Sequence, residues 1–387
     1  MHRGEPGRYE VTRTGDERVR AFVPNPLPPN HPLILDGPLQ EALEAATISL
    51  GRLDGVASLL PDRLAFLHSF VRKEAVLSSQ IEGMQASLSD LLLFEMGEVP
   101  GVPMEDVQEV SNNVAALEHG LGRLRGGFPL SNPLIREIQG VLLSRGRGSG
   151  KSPGEFRRSQ NWIGGSRPGN AAFVPPPPQA VQDCMGELER FHHAEDGGHA
   201  VLVRAGLGHV QFETIHPFLD GNGRVGRLLI VLVLCSSGLL SDPLLYPSLY
   251  FKKHRPTYYL LLDQVRSTGD WESWLAFFLE GVRETSEDAV RTATRLTEMF
   301  GADRARVEAI GRRAGSALRV HEALKARPIR RLTDVARATG LSFPAASSGM
   351  EALESLGIAK EVTGRRRNRL FAYGEYLEVL NEGTEPL

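Results

Sequence analysis

A stretch of twelve residues gathers most of the reactive side chains of this chain. It runs from His216 to Arg227, reads His-Pro-Phe-Leu-Asp-Gly-Asn-Gly-Arg-Val-Gly-Arg, and continues into the apolar run 228–234. Gly221 and Gly223 permit backbone angles that are closed to other residues, so successive N–H groups can converge on an anion where the next helix begins. The stretch therefore predicts a phosphate-binding loop that opens a buried helix.

The charged side chains of this loop suit the same ligand. Arg224 and Arg227 are three residues apart on one helix face, and guanidinium groups bind phosphate oxygens through paired hydrogen bonds. Asp220 can hold Mg²⁺, which binds through one or two carboxylates together with substrate phosphates. His216 remains for proton transfer because the imidazole pKa lies nearest neutrality. A turn, a histidine and two solvated arginines are each common alone, and only their combination points to polyphosphate chemistry.

This combination resembles the Fic family signature, His-x-Phe-x-Asp/Glu-Gly-Asn-Gly-Arg-x-x-Arg, and every fixed position is met. The resemblance implies transfer of AMP from ATP to a Ser, Thr or Tyr hydroxyl of a protein, with release of pyrophosphate. His216 would be the catalytic base and Asp220 the Mg²⁺ ligand. The nucleotide would be bound by Asp220, Gly221, Asn222, Gly223, Arg224, Val225, Gly226 and Arg227.

A second motif lies at the end of a helix expected at about residues 62–82. Ser78 and Glu82 are four residues apart and share a helix face, and Gly83 is a natural stop. Taken alone, they are a surface pair. Ser/Thr-x-x-x-Glu-Gly/Asn is, however, the pattern of the inhibitory helix in many Fic relatives, where the carboxylate competes with the ATP γ-phosphate for the second signature arginine, here Arg227. The resemblance thus implies an auto-inhibited enzyme.

Two further segments gain a role only through the resemblance. Residues 156–178 are rich in Gly and Pro, and in Fic relatives the corresponding segment is a β-hairpin flap that docks the target chain by strand addition. Its tip, near the nucleotide, would consist of Ile163, Gly164, Gly165 and Ser166. Tyr258 and Tyr259 would lie at the adenine end of the site. An ordinary surface hairpin and simple core packing are the respective alternatives.

Two other patterns suggest ligands that the spacing does not support. The loop Gly146 to Ser152 looks like a phosphate loop, but Arg145 stands where that motif needs its first Gly. The histidines near residue 200 fit no H-x-x-x-H pair and have no cysteine beside them, so we expect no zinc site. His209, on an apolar helix, is predicted to be a buried structural residue.

The C-terminal region changes character. Between Asp303 and Leu370 there are fifteen basic residues and seven acidic ones. Helices at about 316–326, 333–339 and 343–356, followed by strands at 358–362 and 368–373, resemble a winged helix-turn-helix. Such domains bind DNA through phosphate contacts or mediate protein contacts and dimerisation, and the sequence leaves both open.

Composition limits the remaining possibilities. The chain has 387 residues, a net charge of −3 and only two cysteines, Cys184 and Cys235, which fits a reducing cytoplasm. The N-terminus has no apolar signal-peptide region, and the longest apolar run is far shorter than the roughly 20 residues that span a bilayer. We expect a cytoplasmic protein without a membrane partner.

The expected fold is mainly α, with a Fic-type helical core, a short β-hairpin flap, an N-terminal helical region and a small C-terminal winged-helix domain. Apolar spacing predicts helices at about 40–56, 62–82, 87–96, 105–125, 133–144, 179–193, 200–215, 224–236 and 270–300. The predicted divisions are an extended arm at 1–35, the N-terminal helical region with the inhibitory helix at 36–125, the catalytic core at 126–300 and the winged domain at 301–387.

The predicted function is that of an auto-inhibited protein adenylyltransferase that uses ATP and Mg²⁺. One alternative is a nucleotide-sensing, DNA-binding transcriptional regulator, and another is a Fic enzyme that removes AMP or transfers a different phosphate-containing group. The target protein, self-modification, DNA binding and a homodimer stay open at this stage.

Overall fold

The computed structural model describes residues 5–15, 17–60, 63–99, 101–194, 199–311 and 314–386. Parts of the predicted arm, the predicted start of the inhibitory helix at residue 62 and two arginines of the basic C-terminal region, 312 and 313, lie outside these ranges. The described part is mainly helical, as predicted. Its helices are α1 (Gly37–Leu59), α2 (Arg63–Ile81), α3 (Leu88–Glu95), α4 (Met104–Arg125), α5 (Asn132–Leu142), α6 (Pro178–His193), α7 (Val201–Ile215), α8 (Asn222–Ser236), α9 (Ser248–Lys253), α10 (Arg255–Thr268), α11 (Trp271–Glu308), α12 (Ala314–Ala326), α13 (Leu332–Thr339), α14 (Phe343–Ser355) and α15 (Gly374–Asn381).

The N-terminal segment differs from the expected extended arm. Gly7–Thr14 (β1) and Glu17–Pro24 (β2) form an antiparallel hairpin. Val19, Ala21 and Val23 alternate along β2 and are buried, so the strand has one apolar face. The prediction of an arm was wrong for this part of the chain because the Pro- and Gly-rich flanks hid a short alternating pattern.

The core surrounds α7 and α8. The apolar run 228–234 of α8 is buried throughout, which confirms that it is a core helix. α1 packs along α11, whose 38 residues continue to Glu308. The predicted domain boundary after residue 300 therefore falls inside a continuous helix. Within the described ranges, no helix has the length and apolar character needed to cross a membrane.

The C-terminal helices carry a small sheet. β3 (Ile329–Arg331), β4 (Ala359–Glu361) and β5 (Leu370–Tyr373) form an antiparallel sheet in the order β3-β5-β4. The predicted pairing of β4 with β5 is confirmed, whereas β3 and α15 were missed. This region contacts α2 directly, since the Tyr376 hydroxyl lies 2.9 Å from the Ser69 hydroxyl and the Gln80 side chain donates to the Thr384 carbonyl at 2.7 Å.

Candidate active site

The signature loop joins two buried helices. α7 ends at Ile215, and His216 then adopts a left-handed conformation (φ 50°, ψ 59°) that is uncommon for a non-glycine residue. Gly221 is also left-handed (φ 78°) and precedes α8. The Asn222 side chain closes the loop, because it accepts from the Phe218 N–H at 2.9 Å and donates to the Phe218 carbonyl at 2.8 Å.

This closure changes the expected role of the Gly-Asn-Gly turn. The Asn222 side chain is engaged within the loop, and only Gly221 needs a glycine conformation, since Gly223 lies within the helix with a negative φ. α8 begins at Asn222, so the N–H groups of its first turn have no partner inside the helix and are available to an anion. The phosphate-binding capacity therefore lies in the backbone of the α8 N-terminus.

His216 is held as a neutral imidazole. Burial lowers its pKa to about 3, and the nearby Arg266 and Arg157 guanidinium groups act in the same direction. Its Nδ1 atom is enclosed and has no hydrogen-bond partner among the described residues. A neutral ring at physiological pH has a free lone pair, so His216 can accept a proton from an incoming hydroxyl.

Arg227 is fully buried and paired with the predicted inhibitory motif. Its Nε donates to the Ser78 hydroxyl at 2.9 Å, and its Nη2 donates to the Ser78 carbonyl at 2.9 Å and to a Glu82 carboxylate oxygen at 2.7 Å. Burial is the largest single influence on the pKa of Glu82 and would raise it, but the charge and hydrogen bond of Arg227, together with the Arg224 charge, outweigh burial and lower the pKa. The two residues thus form a charged pair, with Ser78 bound to the same guanidinium.

Gly223 makes this close approach possible. A Cβ atom at this position would lie 2.3 Å from the Glu82 Oε1 atom, a distance that side chains do not tolerate. The second glycine of the signature therefore provides space for the Glu82 carboxylate at the start of α8. The prediction that this glycine is needed for its backbone freedom was a different explanation.

Arg224 is held from α4 by a residue that the sequence analysis missed. Its Nη1 donates to Glu109 at 2.9 Å, with both side chains 5% exposed, and its Nη2 lies 3.5 Å from Asp220. Glu109 also accepts from Arg147 at 2.6 Å. Glu109 lies beside the apolar positions of α4, and nothing in its spacing indicated a partner 115 positions away.

Asp220 is the accessible carboxylate of the loop. Its side chain is 38% exposed, and the described residues contain no cluster of three or more metal-ligating side chains. A single accessible carboxylate beside an anion-binding helix start fits Mg²⁺, which takes its other ligands from phosphates and water.

The predicted flap, residues 156–178, contains one short backbone bridge. Ile163 and Phe173 exchange two backbone hydrogen bonds of 2.8 and 3.1 Å, the only pairing across residues 156–178 within the described chain. At the tip, Gly164 and Gly165 are left-handed, and the Ser166 N–H donates to the Asn170 side chain. The flap is thus one bridge with a turn, shorter than the hairpin that was expected.

Arg157 connects the flap base to the catalytic turn, and sequence reasoning missed it. The residue is 3% exposed, and its guanidinium donates to the carbonyls of His216 at 2.9 Å and Pro176 at 2.5 Å. Burial lowers its pKa to about 10. A buried cation that binds only carbonyls leaves no sequence signal, because it has no acidic partner to suggest the contact.

Three residues that were predicted to bind the nucleotide are buried in the core. Val225 is fully buried, the Gly226 carbonyl contacts His209, and Tyr258 is 1% exposed with its hydroxyl 2.8 Å from His209 Nε2. His209 is therefore a buried structural histidine, as predicted. Only Tyr259, which is 42% exposed, keeps a face that a base could stack on.

Another buried carboxylate was not anticipated. Glu213 lies near the charges of Arg227, Glu82 and Arg266, and burial raises its pKa to about 7. Its Oε1 atom has no hydrogen-bond partner in the described chain.

The site brings together His216, Asp220, Arg224 and Arg227 with Ser78 and Glu82, and buried ionisable groups surround it.

Comparison with known proteins agrees with this geometry. Residues 40–122 match the model of the Fic/DOC family N-terminal region, and residues 129–234 match the Fic/DOC family model. The chain is 33% identical over 180 residues to a protein adenylyltransferase Fic of Culex quinquefasciatus, covering 44% of this chain and 33% of that protein. It thus spans about a third of that relative's length.

Solved structures share the fold. A Fic family protein from Desulfovibrio desulfuricans G20 superposes with a TM-score of 0.58 at 20% identity, covering 88% of this chain and 97% of that one. A Fic domain containing signaling protein from Bacteroides thetaiotaomicron superposes with a TM-score of 0.52 at 20% identity, covering 65% and 95%. These similarities show a shared fold. The two family matches and the intact signature between α7 and α8 show that the chain belongs to the Fic/DOC family.

Proposed function

We propose that this chain is an auto-inhibited protein adenylyltransferase that transfers AMP from ATP to a hydroxyl side chain of a protein. The observation that carries the proposal is the engagement of Arg227 by Ser78 and Glu82 in the site that also contains the neutral His216. An arginine on the helix that follows an anion-binding loop, paired with a carboxylate of the same chain, is what a built-in competitor of a phosphate requires.

The proposed transfer gives each of these groups a separate role. His216 removes the proton of the target hydroxyl, whose oxygen forms a bond to the α-phosphorus while the bond from that phosphorus to the β-bridging oxygen breaks. Pyrophosphate leaves, and AMP stays on the target as a phosphodiester. The α8 N-terminus and Arg224 stabilise the charge of the phosphates, and Arg227 joins them once Glu82 withdraws. Asp220 would hold Mg²⁺, which supplies further positive charge against the phosphates.

The experiment is mass spectrometry of the purified chain and of candidate acceptor proteins after incubation with ATP and Mg²⁺. Glu82→Gly removes the competing carboxylate and should increase incorporation of AMP, including self-modification. Glu82→Gly/His216→Ala keeps the open site without the base and should abolish transfer. Unchanged labelling in Glu82→Gly with ATP binding intact would exclude the brake, and labelling in the double variant would exclude the catalytic role of His216.

Nucleotide-dependent binding of DNA is a second candidate, supported by the C-terminal region. A cavity of about 390 Å³ is lined by Arg331, the exposed Phe343 and three arginines between β4 and β5, which are Arg366, Arg367 and Arg369. A basic groove between a helix N-terminus and a strand connection suits a phosphate backbone. A sensor would keep nucleotide-dependent binding of a DNA duplex in His216→Ala, whereas an enzyme would lose AMP transfer in the same variant.

We propose that the protein is cytoplasmic, on the evidence of its two cysteines. Cys184 and Cys235 are both free thiols, which fits the cytoplasm. Labelling of both thiols by a maleimide in denatured protein taken directly from cells would support this assignment, and a disulfide at either position would contradict it.

A further inference from the structure

The N-terminal hairpin extends the flap into one ribbon. The Phe22 N–H donates to the Val174 carbonyl at 2.9 Å, so β2 lies beside the returning flap segment, whose other side pairs with Ile163. At the flap tip, Glu17 forms an ion pair with Arg167 and accepts from the Gly169 N–H at 2.9 Å. The backbone order is thus β1, β2, residues 173–174 and residue 163.

One face of this ribbon is exposed and carries a single sign of charge. The inner face packs Val19 and Ala21 against Val174. The cross-strand register places the other set of side chains together on the opposite face: the exposed Tyr9, Val11, Arg13, Arg18 and Arg20, and the buried Phe22 at its end. Tyr9 and Val11 are 54% and 61% exposed. Among the described residues, the three arginines of this face form no salt bridge, whereas Arg8 on the opposite face is paired with Glu10 at 2.9 Å.

The arrangement of these arginines opposes the stability of the hairpin. Arg13 lies directly opposite Arg18 in the register, and like charges at opposite positions destabilise an antiparallel pair. The Arg20 guanidinium lies 4.5 Å from the centroid of the Tyr9 ring, so it is held above an aromatic surface with its polar edge free. This repulsion is relieved when an anionic partner lies across the face.

We propose that this face of the hairpin, formed by Tyr9, Val11, Arg13, Arg18 and Arg20, docks an acidic, apolar-bearing segment of the target protein. The inference rests on the proposed transfer of AMP, because it assigns the face to the acceptor of that reaction. Glutamate or aspartate side chains pair with the arginines, and an apolar side chain covers Tyr9 and Val11. Since β2 is hydrogen-bonded to the flap, the docked segment adjoins the flap, to which the Fic resemblance assigns docking of the target chain.

The test uses two synthetic peptides and the full chain with Glu82→Gly. One fluorescein-labelled peptide carries Ser, Thr and Tyr among alternating Glu and Leu, and its counterpart has Gln in place of every Glu. Fluorescence anisotropy measures binding, and labelled ATP measures transfer of AMP to each peptide. The variant is Arg13→Ser/Arg18→Ser/Arg20→Ser, and the matched control is Arg8→Ser on the opposite face.

We expect the acidic peptide to bind about ten-fold more tightly than its neutral counterpart at low salt, the size expected of a few exposed ion pairs, and to be the better acceptor. The triple substitution should remove this preference, and Arg8→Ser should keep it. The melting temperature of the triple variant should not fall, since a like-charge pair has been removed. Equal binding of the two peptides, or a preference that survives the triple substitution, would overturn the inference. Preferential binding without AMP transfer to any acceptor would instead contradict the proposed function.

Discussion

At the scale of single residues, the site depends on side chains that hold the reactive ones in place. His216 has a left-handed backbone, which costs on the order of 1–3 kcal/mol for a non-glycine residue and persists only where neighbours enforce it. Arg157 provides this enforcement, because its guanidinium binds the His216 and Ile215 carbonyls and the Pro176 carbonyl at the flap base. The geometry of His216 is thus set by Arg157, a residue that is itself buried.

Arg157→Met, made together with Glu82→Gly, should lower kcat of AMP transfer by roughly 10- to 100-fold, since small displacements of a catalytic group have effects of this size. The KM for ATP should change little, because the α8 N-terminus and the signature arginines are untouched. Arg158→Met is the matched control, with a side chain that is 91% exposed. Steady-state kinetics with labelled ATP decide the point, and a rise in KM with unchanged kcat would contradict a positioning role.

At the scale of elements, α2, the proposed inhibitory helix, is secured from its far side by the C-terminal segment. Gln80 is fully buried, and its amide donates to the Ala86 carbonyl at 2.9 Å and to the Thr384 carbonyl at 2.7 Å. Lys252 donates to the carbonyls of Gly383 and Glu385, the two neighbours of Thr384 in the chain. The turn that carries Glu82 is therefore fixed at its base by a segment three hundred positions away in the chain.

Gln80→Leu keeps the volume of the side chain and removes both donors. Two buried carbonyls lose their partner, so the free energy of unfolding should fall by about 2 kcal/mol. Basal AMP transfer should rise, because the turn after α2 is less firmly held and Glu82 leaves Arg227 more often. Gln85→Ala, on the exposed side of the same turn, should change neither quantity. If Gln80→Leu raised transfer equally in the Glu82→Gly background, the effect would not act through the brake.

Most elements could be predicted from the sequence because their apolar residues recur at helical spacing. The predicted ends of α2, α4 and α7 lie within about two residues of the observed ones. The β1–β2 hairpin was missed because its alternating run is short and flanked by Pro and Gly. Glu109 and Arg157 could not be found, since their partners are 115 and 59 positions away and only the folded chain brings them together.

At the scale of the whole molecule, buried ionisable groups divide into two sets that change the free energy of unfolding in opposite directions as the pH rises. Burial lowers the pKa of His209 to about 3 and that of His192 to about 4, below the ordinary value of 6.5. Burial also raises the pKa of Glu74 to about 8 and that of Glu213 to about 7, above the ordinary value of 4.5. The histidines therefore take up protons more readily in the unfolded chain, and the carboxyl groups more readily in the folded chain.

The sign of each effect follows from proton linkage. Below pH 6.5 the unfolded chain protonates His209 and the folded chain does not, so the free energy of unfolding falls as the pH decreases toward 3. Between pH 4.5 and 8 the folded chain keeps Glu74 protonated and the unfolded chain does not, so the free energy of unfolding falls as the pH increases through this window. Each group contributes a slope of at most about 1.4 kcal/mol per pH unit.

A pair of substitutions separates the two sets. His209→Gln retains a hydrogen-bonding side chain beside the Gly226 carbonyl and the Tyr258 hydroxyl, and Glu74→Gln retains an acceptor for the Ser248 hydroxyl. The free energy of unfolding, measured by urea titration at several pH values, should favour the wild type over His209→Gln less and less as the pH falls from 6.5. Its advantage over Glu74→Gln should shrink as the pH rises from 4.5 to 8. Curves that run parallel to that of the wild type would mean that these groups keep their ordinary pKa values in the folded chain.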